Sequence, residues 1–476
     1  MILRISIALC LIVVVQSKWD KDIYIITNYP EKPEVISSGS TGSFIPTWDS
    51  LDARKNPDWF DDAKFGIFIH WGVFSVPSFG SEWFWTNWKG GSSILQSFMK
   101  KNYKPDFSYQ DFASDFTAEF YNATEWVDLF DAAGAKYIVL TSKHHEGYTL
   151  WPSKYSFSWN SMDVGPHRDL VGELADAVRT KKDMHFGLYH SLYEWFNPLY
   201  LIDKSNNFST DIFVQNKVLP EIYEIVEKYK PEVLWSDGDW EAPEVYWKSK
   251  EFLVWLFNES PVRDTVLVND RWGIGTGCKH GSFYNCFDRF NPGKLLKHKW
   301  ENAMTIDRKS WGFRRNAPLE DYYTTEALIK ELVSTVSCGG NILMNVGPSK
   351  DGVISPIFQD RLRAIGRWLK TNGEAIYKTR PWTTQNDTIT GDTWYTMSAD
   401  RLNLYAIILT WPQDNVLKLG ALLPKKKYLF SMLGLSESLK WTPKEDRIDV
   451  SLPTNAYRGE PGWVLKIKGL ASRDIH

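Results

Sequence analysis

Cysteine is scarce in this chain. Its 476 residues hold 4, at positions 10, 278, 286 and 338, and none stands in the C-x-x-C spacing of a structural zinc site. The H-x-H and H-E-x-x-H spacings of metal-dependent hydrolases are missing too. A formal net charge of −3 gives no general attraction for nucleic acid or an anionic membrane. Beyond Ile5 to Val15 there is no long apolar run, and that run is too short to cross a bilayer. The chain also lacks internal repeats and low-complexity tracts. These absences disfavour a membrane-spanning protein, a nucleic-acid binder and a disulfide-framed miniature, and they call for no cofactor and no metal.

What the N-terminus does have is Arg4, the apolar run and then small Ser17 before Lys18, the layout of a secretory signal peptide over residues 1–17. The sequons at Asn122, Asn207, Asn258 and Asn386 agree with a secretory route to a lysosomal or extracellular destination, although Pro261 follows the third. In an oxidising compartment, Cys278 and Cys286 are placed to close one Gly-rich loop. Cys338, before Gly339-Gly340, reads as a buried free thiol at a helix end.

Aromatic residues are abundant, with 24 Trp, 22 Tyr and 26 Phe. Flat rings with polar edges suit the mixed faces of a sugar, although core packing absorbs most aromatics in any protein. From about Asp62 to Tyr377, short apolar runs alternate with amphipathic helical stretches. The runs are KFGIFIHWG from Lys64, AKYIVLTSKHHEG from Ala135, HFGLYHS from His185, PEVLWSDGDW from Pro231, DTVLVNDRWG from Asp264 and GGNILMNVGP from Gly339. Nearly continuous apolar strands separated by helices predict a parallel sheet covered on both faces, here an α/β fold of the (β/α)8-barrel kind. Thr325 to Ser337 reads as a helix with Leu328, Leu332 and Val336 on one stripe; another begins after Ser355-Pro356 and closes at Gly373. Beyond Tyr377 the runs become short and β-like with no helical period, which predicts a C-terminal β-sandwich. The expected division is a leader at 1–17, a catalytic barrel with an N-terminal extension at 18–377, and a sandwich at 378–476.

Reactive side chains collect at the C-terminal ends of the predicted strands: His70, His144 and His145, Tyr189 and His190, Asp237, then Asp270 and Arg271. In a barrel those ends form one mouth, the face where barrel active sites are built. Asp237 follows a β-branched and aromatic run and precedes Gly238, which lets the backbone leave the sheet. Successive His144 and His145 share one face only if the strand is already breaking up there.

Taken together, KFGIFIHWG, SKHHEGY, GLYHS, LWSDGDW, VNDRWG and GGNILMNVGP resemble, in order and over nearly the whole chain, the family 29 glycoside hydrolases, the α-L-fucosidases of secreted or lysosomal animal type. The resemblance implies a retaining exo-glycosidase that removes terminal α-L-fucose from glycoconjugates through a covalent fucosyl-enzyme, and a homo-oligomer. It makes Asp237 the nucleophile and places His70, Glu82, Trp83, His144, His145, Tyr189, Trp235 and Arg271 around the sugar. For the acid/base two candidates stay open, Asp288 in YNCFDRF and Glu301 in HKWENA. Asp288 is preferred because Phe287 offers an apolar neighbour able to raise its pKa. Two other readings compete: a metal-dependent barrel hydrolase using the histidines, and an inactive fucose-binding relative.

Overall fold

The computed structural model describes residues 43–424, 427–454 and 459–470. The expected leader and the extension up to residue 42 lie outside the described residues. Seven parallel strands form one curled sheet: β1 Phe65–Ile69, β2 Tyr137–Lys143, β3 His185–Ser191, β4 Val233–Asp237, β5 Leu267–Val268, β6 Trp300–Thr305 and β7 Gly340–Val346. Their order is β5-β4-β3-β2-β1-β7-β6, with every named pair parallel. The helices before β2, β3, β4, β5 and β7 are Ala123–Ala132, Leu170–Arg179, Leu219–Tyr229, Ser249–Asn258 and Thr325–Ser337. Leu328, Leu332 and Val336 are buried as their spacing predicts. Ser355 takes the N-cap position of Pro356–Asn372, but its hydroxyl makes no capping bond.

Among the described residues the regular sheet has seven strands rather than eight, and β5 is shorter than the apolar run predicts. Asn269 explains the shortening. Its side chain accepts the Ser236 N–H at 3.0 Å and donates to the Ser236 carbonyl at 2.8 Å, replacing the backbone pairing that a longer β5 would make with β4. The space between β5 and β6 is bridged by irregular backbone. Ser282 N–H donates to the Val268 carbonyl at 2.9 Å, Tyr284 N–H to the Lys299 carbonyl at 2.9 Å, and Glu301 N–H to the Tyr284 carbonyl at 2.9 Å.

Inward side chains fill the ring as a second core. Phe68, Tyr137, Val139, Tyr189, Val233, Trp235, Leu267, Phe283, Ala303 and Leu343 pack together there, as alternation along strands requires. At the inward position of Gly66 a Cβ would stand 2.5 Å from the Tyr137 ring, so glycine makes room for that phenol. Between the strands and helices lies the larger core, including Ile67, Ile138, Leu188, Leu234 and Met344.

After Tyr377, antiparallel strands form a six-stranded and a three-stranded sheet, with Leu404, Ile408 and Leu465 of one packed with Leu417, Ile448 and Val450 of the other. Trp368 on the last barrel helix donates its indole N–H to the Gly462 carbonyl at 2.9 Å, tying the two parts together. Cys278 and Cys286 are joined, and Cys338 is a buried free thiol capping Thr325–Ser337. Among the described residues, no helix is long and apolar enough to cross a membrane.

Candidate active site

A cavity of about 380 Å³ opens at the C-terminal ends of the strands. It is lined by His70, Glu82, Trp83, His144, His145, Tyr189, Trp235, Asp237, Arg271 and Asp288, while Glu301 and the strand-end residues His190 and Asp270 are fully buried away from it, His190 because it alternates with Tyr189 to the outer face beside Glu221. Phe68, Asp239, Trp240, Cys286, Phe287 and Trp311 complete the lining. Phe68 shares the inward face of β1 with His70, two residues on, and was legible from period two. Trp311 lies in a loop without a strand pattern and gave no signal.

Asp237 ends β4 and is 7% exposed. Its Oδ2 accepts the Tyr189 hydroxyl at 2.8 Å and its Oδ1 accepts Arg271 Nη1 at 2.9 Å. Burial and the adjacent Asp237 push the Tyr189 phenol well above its usual pKa, so it stays a donor. The other end of the same guanidinium, Nη2, donates to Asp288 Oδ1 at 2.6 Å. One arginine thus holds both carboxylates while its plane lies over Trp235, 4.6 Å from the ring centroid.

The histidines are oriented by neighbours behind them. His70 Nδ1 donates to Asn345 Oδ1 at 2.7 Å, an amide orientation fixed because Asn345 Nδ2 donates to the Trp311 carbonyl. Ser191 gives its hydroxyl to the Tyr193 carbonyl, so the 2.7 Å contact with His145 Nδ1 makes that nitrogen the donor. His145 Nε2, 3.5 Å from Asp237 Oδ2, is left to accept a hydroxyl hydrogen. Burial, then the charge of neighbouring His144, lowers the pKa of His70 and of His145 well below the usual imidazole range, which keeps both neutral.

A register shift between Thr141 and Lys143 explains how consecutive histidines reach one cavity. Past it, Lys143 is buried against Glu194 and Glu221, each at 2.9 Å, and the strand ends before His144. His144 Nδ1 lies 3.4 Å from Glu146 Oε2. Glu82 accepts Ser310 Oγ, Trp311 N–H and Gly312 N–H at 2.9, 2.9 and 3.1 Å, and so seats Trp311 against His70.

The surroundings of the two acid candidates differ from those the sequence predicts. Phe287 does not desolvate Asp288: its own side chain is 62% exposed, and the partner of Asp288 is Arg271. Glu301 is fully buried behind the cavity wall, where it accepts Tyr137 Oη at 2.7 Å, Trp235 Nε1 at 3.1 Å and Asn285 Nδ2 at 3.2 Å. Desolvation nonetheless raises its pKa to about 7. Half-buried Asp239, on the cavity wall, is also raised to about 7, by desolvation first and then by the charge of Asp237.

Asp270 organises the loop that carries Asp288. Fully buried, it accepts the N–H groups of Cys278, Cys286 and Asn285 at 2.7, 3.0 and 3.1 Å. Asp270 and the two cysteines are residue types that could hold a metal ion, but the thiols are joined to each other and the carboxylate is occupied by backbone.

Comparison with known proteins gives one family. The model described as Alpha-L-fucosidase matches residues 34–374, and that of the Alpha-L-fucosidase C-terminal domain matches residues 385–468. Alpha-L-fucosidase of Branchiostoma floridae is 57% identical over 433 residues, covering 90% of this chain and 96% of that protein. Plasma alpha-L-fucosidase of Homo sapiens is 57% identical over 436 residues, with 90% and 93% covered. The crystal structure of Thermotoga maritima alpha-fucosidase with a mechanism based inhibitor superposes with a TM-score of 0.79 at 33% identity, covering 89% of this chain and 100% of that one. The chain belongs to the α-L-fucosidase family of glycoside hydrolases.

Proposed function

We propose that this protein hydrolyses terminal α-L-fucose from glycoconjugates with retention of configuration, using Asp237 as nucleophile and Asp288 as acid/base. The observation that carries the reading is the single guanidinium of Arg271 holding both carboxylates at the cavity. Such a bridge suits the short separation of a retaining pair, about 5–5.5 Å, better than the wider gap that admits a water between base and sugar. In the first step a carboxylate oxygen of Asp237 bonds to the anomeric carbon, the bond to the leaving oxygen breaks, and Asp288 gives that oxygen its proton. In the second, water attacks the same carbon, Asp288 takes the proton, and Asp237 is released.

The shared arginine gives a reason for Asp288 to change roles. Arg271 donates to both carboxylates at once, so its charge is shared between them. Once Asp237 is an ester its charge is gone, and Asp288, the base needed next, is left as the charged partner of Arg271. His70 and His145, both neutral, and Glu82 supply polar partners for sugar hydroxyls, while Trp83 and Trp235 shape the apolar wall that a deoxy-sugar methyl requires. The two-domain division near residue 377, passage through the secretory pathway and self-association belong to the same reading. The family-model boundaries support the first, and the joined cysteines and plasma-named relatives support the second.

The test replaces Asp237 with Gly. Hydrolysis of an aryl α-L-fucoside across acidic pH, measured beside an aryl β-D-galactoside, should fall by several orders of magnitude, because the covalent route is lost. Azide should restore turnover and give a fucosyl azide of inverted configuration. Ordinary activity in the variant without azide would remove Asp237 from the role, and a wild-type protein inert toward fucosides would remove the activity.

A further inference from the structure

We infer that Trp240 and Phe287 form a binding site for the sugar on the leaving side of the bond, so that the cavity recognises a fucosylated saccharide rather than fucose alone. This rests on the reading of Asp288 as the acid.

Trp240 and Phe287 line the cavity yet remain 44% and 62% exposed, whereas Trp235, a cavity tryptophan on β4, is 2% exposed. Exposure of this kind is unremarkable on a mobile loop. Here both rings stand on fixed backbone. Trp240 lies in a turn opened by Gly238 at φ 86°, where a Cβ would stand 2.4 Å from the Tyr193 ring. Its indole packs on Tyr193, His145 and Trp83 with centroids 5.9, 5.6 and 6.2 Å away. The next residue, Glu241, anchors the turn by accepting from Lys204 Nζ at 2.6 Å and from the Tyr200 hydroxyl.

Phe287 follows the joined Cys286, whose N–H is held by Asp270 at 3.0 Å, and packs edge-on against Phe290 at 5.1 Å. Two rings held in this way, exposed within a lined cavity, match the way an aromatic platform takes the C–H face of a sugar. Chemistry fixes which sugar. The acid must touch the leaving oxygen, so the residue attached to that oxygen lies beside Asp288, and Phe287 is its chain neighbour. The fucose ring itself has to meet Asp237, deeper in the cavity at 7% exposure.

The experiment compares two substrates on Trp240→Ala, Trp240→Phe and Phe287→Ala, with melting temperatures recorded for each. α-L-Fucosyl fluoride has no leaving sugar; a panel of fucosyl disaccharides differs by having one. The ratio of kcat/KM on the best disaccharide to kcat/KM on the fluoride should drop at least tenfold in each Ala variant, mostly through KM. Trp240→Phe, which keeps a ring, should lie between. An unchanged ratio overturns the proposal, as does a wild-type enzyme that accepts the fluoride but no disaccharide. A wild-type enzyme inert toward the fluoride overturns the fucosidase reading itself and the site with it.

Discussion

Glu301 accepts the indole N–H of Trp235 at 3.1 Å from behind the cavity wall, so Trp235 lines the cavity and Glu301 does not. This relationship separates the two acid candidates. Asp288→Asn should lower kcat on fucosyl saccharides, whose leaving groups need a proton, on the order of 10²–10⁴-fold. Activated aryl fucosides should lose far less, and the alkaline limb of the pH profile should flatten. Glu301→Gln, which disturbs the Trp235 wall, should lower all substrates alike. A selective loss in Glu301→Gln with none in Asp288→Asn would exchange the roles.

Glu301 should also shape stability. Burial raises its carboxyl from 4.5 to about 7 in the folded protein, even though its hydrogen-bond donors oppose the shift. The folded state therefore binds the proton more tightly than the unfolded chain. Its contribution is present below about pH 4.5 and is lost as pH rises through about 7, a change of up to roughly 3 kcal/mol. Melting temperature should fall across that window in the wild type, and the slope should be shallower in Glu301→Gln. Gln keeps its oxygen toward Trp235 and Asn285 but turns an N–H₂ toward the Tyr137 hydroxyl, so the slope with pH, not the absolute melting temperature, is the readout. Parallel curves for the two proteins would mean that other groups set the dependence.

The Asp270 carboxylate predicts a loop that fails before the barrel does. An Asn at that position keeps one acceptor oxygen and points an N–H₂ at backbone donors. Losing charge-assisted bonds to a buried carboxylate costs on the order of 3 kcal/mol. Hydrogen exchange at Cys278, Asn285 and Cys286 should accelerate in Asp270→Asn while amides of β1 and β7 keep their protection, and activity should fall with the loop. Equal acceleration everywhere would make Asp270 a general stabiliser of the fold.

The elements most legible in the sequence are those buried on both faces. β3 and β7 read as nearly continuous apolar runs because the ring core covers one face and helices the other. β6 hides as WENAMT. Its inward Glu301 is matched by three donors and its Asn302 donates to Glu331 and Thr335, so a buried strand carries a polar sequence. β5 is over-read for the converse reason, since the side chain of Asn269 makes the bonds that backbone would make in a longer strand. His70, His144, His145 and Asp237 were legible because parallel strands deliver their C-terminal ends to one mouth, whereas His190 alternates to the outer face. Trp311 and the partner of Asp288 were not, because contacts more than 200 residues apart, such as Glu82 with Trp311, and the arginine bridge exist only once the ring is closed.

The sequons divide by what their side-chain nitrogens already do. A glycan replaces one Nδ2 hydrogen and needs open space beside it, which half-buried Asn258 and Asn386, paired to backbone, do not offer. Asn258 both donates to and accepts from the backbone of Phe44, each at 2.9 Å, and Phe44 packs on Phe257. Asn386 donates to the carbonyls of Gly391 at 2.6 Å and Thr393 at 3.2 Å, which uses both of its hydrogens. Asn207 is exposed. Asn122 is exposed as well, and it caps Ala123–Ala132 through its oxygen, which leaves one amide hydrogen after the contact with Glu125. Attachment precedes folding, so chains modified at Asn258 or Asn386 should fold poorly and be depleted from the exported pool. Peptide mapping of protein secreted from animal cells, after enzymatic deglycosylation in heavy-oxygen water, should label Asn122 and Asn207 and leave the other two unlabelled. Full occupancy of Asn258 would mean that its pairing with Phe44 is dispensable for folding.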